Sequence, residues 1–127
     1  DAVDTAKKIY KAADRASDIR RATGSYEIVY KSGKTYVGKG GYKRAITSAS
    51  KTRRTNCVVD QVVSISWKSA PNVRMAFIDE YMSMCKYGGP NNRVIKNTNS
   101  YNQIWSPGRN YYYGRYGHYY WYGGRSW

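Results

Sequence analysis

The sequence predicts an α+β fold: a small three-stranded, mainly antiparallel sheet flanked by helices, preceded by an N-terminal helix and followed by an aromatic-rich tail. Three observations carry this. Ser25–Lys31 and Lys34–Gly38 are rich in Tyr, Val, Ile and Thr and are broken by Ser32-Gly33, the pattern of a hairpin. Within Val58–Lys68, Val63, Ile65 and Trp67 alternate with polar residues, the pattern of a third strand. Residues 2–22 and 73–86 space their apolar residues as helices do.

In chain order, Ala2, Ala6, Ile9, Ala13 and Ala16 form a helical stripe, with Val3, Tyr10 and Ile19 beside it. Thr23-Gly24 supplies the stop, and Arg20 and Arg21 suit the negative end of the helix dipole. A stripe made mostly of alanine buries little, so this helix must lie on the rest of the domain or on a partner. Residues 1–23 are expected to be a junction helix to a larger protein or an ordinary packing helix, two readings that are compatible.

The hairpin admits two registers. A two-residue loop would pair Lys31 with Lys34 and put Tyr26 and Tyr36 on opposite faces. A type I turn over Tyr30–Gly33, with Gly33 in the left-handed position, pairs Ile28 with Tyr36 instead. Side chains alternate along a strand, so this register gathers Tyr26, Ile28, Tyr30 and Tyr36 on one face. Gly33 favours it. The Gly38-Lys39-Gly40-Gly41 turn then lets the backbone approach a ligand closely.

Tyr42–Ala49 reads as a short helix with Ala45, Ile46 and Ala49 inward and Arg44 on its first turn. Lys51–Asn56 reads as a basic loop whose Arg53 and Arg54 extend the face carrying Arg44. Ser69-Ala70-Pro71-Asn72 turns into a helix at Val73–Lys86, which Tyr87-Gly-Gly-Pro90 ends. Its inward positions are expected to be Ala76, Phe77 and Met84, with Tyr81 a further candidate. Asp79 and Glu80 stand adjacent on it, about 100° apart in direction, so they cannot serve one site equally. Either is also a candidate for an ion pair with Arg74 or Lys86.

The formal net charge is +14 over 127 residues, and it is uneven. Residues 1–27 carry six Lys/Arg against five acids; the remainder carries sixteen against Asp60, Asp79 and Glu80. Such a domain is expected to bind a polyanion, nucleic acid first and an anionic membrane second. A solvated surface or an acidic protein partner would also answer the charge. No apolar run approaches the ~20 residues of a membrane span, and none reads as a signal peptide. With one histidine, Cys57 and Cys85 make no ordinary zinc site; they are expected to be free, partly buried thiols, with a single bridge left open.

Arg109–Trp127 crowds Tyr111, Tyr112, Tyr113, Tyr116, Tyr119, Tyr120 and Tyr122 among Arg and Gly. That composition suits stacking on unpaired bases, or packing as an irregular hairpin over the sheet. His118 lies within it.

Gly24-Ser25-Tyr26, Tyr36-Val37-Gly38 and the following Arg44 resemble the GIY-YIG nucleases, and YVGKG is closer to a bacterial toxin branch of them. Ser25 stands where Ile is usual, and the spacing from Gly38 to Arg44 is shorter than in the homing and repair enzymes. Asn102-Gln-Ile-Trp-Ser-Pro-Gly108 resembles the element that closes the toxin branch. The resemblance covers residues 24–108, the expected nuclease core. It implies Tyr26, Tyr36, Arg44 and Glu80 as catalytic residues, with Glu80 holding Mg²⁺; counting back from Gly88 favours Glu80 over Asp79. Asn102 is implied as a site or scaffold residue.

Chemistry alone supports the same set. Arg44 suits a phosphate clamp, because a guanidinium donates two parallel hydrogen bonds. One carboxylate suits a Mg²⁺ completed by water and phosphate. A phenol, with a pKa near ~10, needs a nearby cation to act as base. Lys39, Arg53 and Arg54 are the expected substrate contacts, and the resemblance adds Asn102.

The resemblance further implies an antibacterial toxin of the contact-dependent inhibition or Rhs kind. It would be the monomeric C-terminal fragment of a secreted or cell-surface delivery protein, acting in the target cytoplasm. A cognate acidic immunity protein and a host activating protein are the implied partners. DNA is favoured slightly over tRNA. The alternatives are a metal-independent ribonuclease using Arg44, a Tyr or Lys39, and His118, and a non-catalytic nucleic-acid-binding module.

Overall fold

The computed structural model describes residues 1–13 and 18–114. A three-stranded antiparallel sheet has the order β2-β1-β5, with β1 at Gly24–Tyr30, β2 at Thr35–Lys39 and β5 at Val62–Ser69. The hairpin takes the register that gathers the phenols: Ile28 faces Tyr36, and Tyr26 faces Gly38. Gly33 has φ +93°, and its N–H bonds the Tyr30 carbonyl at 2.8 Å, closing the turn.

The third strand begins later than expected. Val58–Val59 (β4) pairs instead with Arg54–Thr55 (β3), so the basic loop is a small hairpin turning at Asn56 and Cys57, both at positive φ. A bulge between Val29 and Tyr30 then shifts the β1–β5 register. The extra residue moves Val62 onto the core face and leaves Val63 53% exposed, so the expected Val63–Ile65–Trp67 face begins at Val62.

The N-terminal segment is two helices rather than one. Ala2–Ala12 (α1) ends at an extended Ala13 (ψ 133°), and Asp18–Arg21 (α2) follows. Val3, Ala6 and Tyr10 form the inward stripe; Ile9 is exposed, and Tyr10 stacks on Tyr42 at 6.4 Å. With only these three residues packed inward, α1 depends on tertiary contacts, since a helix this short is marginal by itself.

Tyr42–Ala49 (α3) packs Ala45 and Ala49 against Tyr26, Ile28 and Tyr30 on one sheet face. Val73–Lys86 (α4) covers the other. Asn72 caps α4 by accepting from the Met75 N–H at 2.8 Å, one residue after Pro71. Ala76, Ile78, Tyr81 and Met84 are its buried positions; Phe77 is half-buried and stacks on Tyr111 at 6.1 Å. Gly108–Tyr112 (α5) is a short helix across α4 rather than part of a hairpin over the sheet, with Tyr112 and Tyr113 against Tyr81. His118 and residues 115–127 lie outside the described residues, as do residues 14–17.

Cys57 and Cys85 are free, and both are exposed rather than partly buried. Among the described residues, no helix is long and apolar enough to cross a membrane.

Candidate functional site

The site is built around the end of β2. Tyr36 and Gly38 point to the α3 side of the sheet, and Val37 and Lys39 to the α4 side. Gly38 lies directly beneath the Tyr26 ring, so a Cβ there would overlap the phenol. Gly40, at φ +147°, makes room for the Arg44 side chain. The Trp67 indole donates to the Gly40 carbonyl at 3.0 Å, and the Gly40 N–H bonds Gly24, fixing the glycine turn from both sides.

On the α3 side, Tyr26 is 3% exposed and shares a 2.6 Å hydrogen bond with Ser48. Burial raises its pKa; Ser48 and Arg44 hydrogen bonds oppose the rise. A phenol whose pKa is raised is protonated at neutral pH, so it carries a proton for a hydrogen bond. Arg44 is exposed on the first turn of α3, with Ser48 one helical turn further along the same side. That spacing of four was a legible signal for Ser48, which sequence reasoning passed over.

Half-buried Tyr36 lies beneath the Arg53 guanidinium, 4.2 Å from the ring centroid. Arg53 also donates from Nε to the Tyr30 hydroxyl at 2.8 Å. Arg54, the next residue, is exposed and reaches only the Cys57 carbonyl at 3.5 Å; among the described residues no contact joins it to the phenols.

The α4 side holds the carboxylates. Asp79 pairs with Lys68 at 3.7 Å, a partner other than the two expected. Lys86 instead joins Glu27, which also accepts from Ser83 and Tyr87. Burial raises the pKa of Glu80, while Ser106 and the Lys39 charge partly offset it. Lys39 itself sits 4.7 Å above the Phe77 ring. Glu80 is thus linked to the glycine turn through Lys39, across β2 from the phenols.

Ser106-Pro107-Gly108 delivers that serine. Gly108 approaches the Phe77 carbonyl so closely that a Cβ would collide with it, and the Ser106 hydroxyl donates to the same carbonyl at 3.2 Å. Asn102 spans the free edge of β2: its side chain accepts from the Val37 N–H and donates to the Val37 carbonyl, both at 2.8 Å. Tyr101 and Asn99 bond the backbone of Thr35 beside it. Asn102 therefore holds the strand that carries Tyr36 and Gly38, with its amide committed to that backbone.

Among the described residues, no three His, Cys, Asp or Glu side chains converge as a metal cluster. Glu80 is nonetheless a half-buried carboxylate with no ion pair at contact distance among the described residues, unlike Asp79 and Glu27. One such oxygen donor fits Mg²⁺ held mainly by water and substrate phosphate. No family model, curated protein or solved structure matches the chain.

Proposed function

We propose that the chain hydrolyses nucleic-acid phosphodiester bonds, with DNA ahead of tRNA as substrate. The observation that supports it most is the Tyr26–Arg44–Ser48 group seated on Gly38, with Tyr36 and Arg53 beside it on the same face. Two phenols and two guanidiniums there, in a domain of net charge +14, suit an anionic, hydroxyl-bearing transition state.

In this reading Arg44 binds the scissile phosphate and draws charge from its oxygens as the pentacoordinate state forms. Tyr26, protonated and held by Ser48, donates a hydrogen bond to a phosphate oxygen or the leaving oxygen. Tyr36, open to solvent beneath Arg53, orients the attacking water. Glu80 would hold Mg²⁺, whose contribution when bound is to polarise the phosphate and assist the leaving oxygen. Lys39, the last residue of β2, supplies positive charge on the α4 side, beside the turn where glycine leaves the backbone bare. Delivery as an antibacterial toxin, a cognate acidic immunity protein and a host activating protein rest on the sequence resemblance.

A second reading has its own support. Glu80 lies on the α4 side of β2, and Tyr26, Tyr36, Arg44 and Arg53 on the α3 side. A ribonuclease needing no carboxylate would use the ribose 2′-hydroxyl as nucleophile at the phenol–guanidinium face. End-group analysis of cleaved total tRNA separates the two. Ends carrying 2′,3′-cyclic phosphate, formed in EDTA, would establish the second reading; DNA cleavage leaving a free 3′-hydroxyl would establish the first.

A further inference from the structure

We infer that Arg53 is a pre-oriented second phosphate subsite, a fork that takes a backbone phosphate next to the one held by Arg44. The inference rests on the nucleic-acid reading and deepens it. Arg53 differs from the other surface cations in how it is built in. Its Nε donates to the hydroxyl of Tyr30, a residue 1% exposed, at 2.8 Å. Its guanidinium lies 4.2 Å from the Tyr36 ring centroid and 5.4 Å from that of Tyr101. Tyr101 packs edge-on against Tyr30 at 4.9 Å, so the three rings form a cradle.

The neighbouring acid does not neutralise it. Asp60, 8% exposed, accepts from the Ser32 N–H and hydroxyl, from Thr55 and from the Tyr101 hydroxyl at 2.6 Å. Its oxygens are occupied, and no carboxylate reaches Arg53 at salt-bridge distance among the described residues. Asp60 instead fixes the backbone: its N–H bonds the Arg53 carbonyl at 2.7 Å.

The consequence follows from guanidinium geometry. With Nε bound to Tyr30 and one face covered by Tyr36, the terminal N–H donors have no partner among the described residues and stay on the open side. A half-buried cation that is held on one edge, stacked on one face and unpaired on the other edge matches a phosphate bidentately and loses little side-chain freedom on doing so. Tyr30 and Asp60 are then positioning residues. Arg44 holds the phosphate at Tyr26, and Arg53 the neighbouring one at Tyr36.

The test is fluorescence anisotropy of a short labelled DNA oligonucleotide in EDTA, titrated with the protein over a range of NaCl concentrations. Arg53→Ala is expected to weaken binding by about tenfold to a hundredfold and to flatten the log K against log salt slope by about one. Arg53→Lys keeps the charge but not the fork, so affinity falls while the slope is retained. Tyr30→Phe behaves like Arg53→Lys, because it frees Nε without removing charge. Lys8→Ala, on α1, sets the scale for a merely electrostatic contribution, and circular-dichroism melts confirm that each variant is folded. A folded Arg53→Ala that changes affinity and slope no more than Lys8→Ala overturns the inference and leaves the nucleic-acid reading standing. A wild-type chain that does not bind the oligonucleotide at low salt overturns both.

Discussion

Gly38 and Tyr26 occupy one volume: the phenol of Tyr26 lies where the β-carbon of any other residue at position 38 would be. A glycine after Tyr-Val is therefore a steric requirement of the phenol's position, set by the pairing of Tyr26 with Gly38 across β1 and β2. Gly38→Ala is expected to push the ring away from Ser48, costing about 1–3 kcal/mol through overpacking and reducing cleavage at least tenfold (by about 1.4 kcal/mol of transition-state binding). Urea unfolding and a nicking assay read the two effects separately.

Glu80→Gln should divide stability from activity. Burial raises the Glu80 pKa, so its ionised form is disfavoured in the folded chain. Stability from such a group is complete below the unfolded carboxyl value and is lost as pH rises through the folded one. At neutral pH the neutral amide therefore leaves the melting temperature unchanged or raises it, while metal-assisted cleavage is lost. A lower melting temperature would show that the carboxylate is structural.

Glu27 has the opposite sign. Burial pushes its pKa up, but hydrogen bonds from Lys86, Tyr87 and Ser83 outweigh that and hold it below the usual value. Its contribution is present above the unfolded pKa and lost as pH falls through the folded one. Glu27→Gln should cost about 1–3 kcal/mol at neutral pH, with the deficit shrinking in acid. Denaturant midpoints between pH 3 and 7 check this, those limits bracketing about the ordinary carboxylate range.

Asn102→Ala removes both hydrogen bonds to Val37 and bares the edge of β2. The expected cost is about 1–3 kcal/mol, with faster amide exchange at Val37. Exchange confined to distant elements would contradict its role as the edge clamp.

How far the sequence reaches is visible at particular residues. Gly33 favoured the hairpin register, because it fits the left-handed position that follows a type I turn while Ser32 ahead of it does not suit the two left-handed residues of a type I′ loop, and with the register came the common face of Tyr26 and Tyr36. Pro71 and the Tyr87-Gly-Gly-Pro90 run bounded α4 by chemistry that acts within a few residues, although the capping side chain itself is that of Asn72. The break in the N-terminal helix carries no such mark: Ala13 turns extended without Gly or Pro. The left-handed turn at Asn56-Cys57 also lacks glycine, which hid the β3–β4 hairpin, and the bulge at Val29/Tyr30 put Val62 where alternation had put Val63. Long-range polar ties were out of reach. Glu27 with Lys86, and Asp60 with Tyr101, join residues that only the fold brings together. The same holds for Arg53, whose basic neighbours read alike in sequence but which alone is cradled by tyrosines.

The central claim is phosphodiester hydrolysis at the Tyr26–Arg44 face. The most direct measurement is nicking of supercoiled plasmid DNA by the purified chain with Mg²⁺, beside Arg44→Ala and the same reaction in EDTA. The account predicts nicking by the wild type, loss in EDTA and loss with Arg44→Ala in a folded protein. Nicking that persists undiminished in folded Arg44→Ala would contradict it.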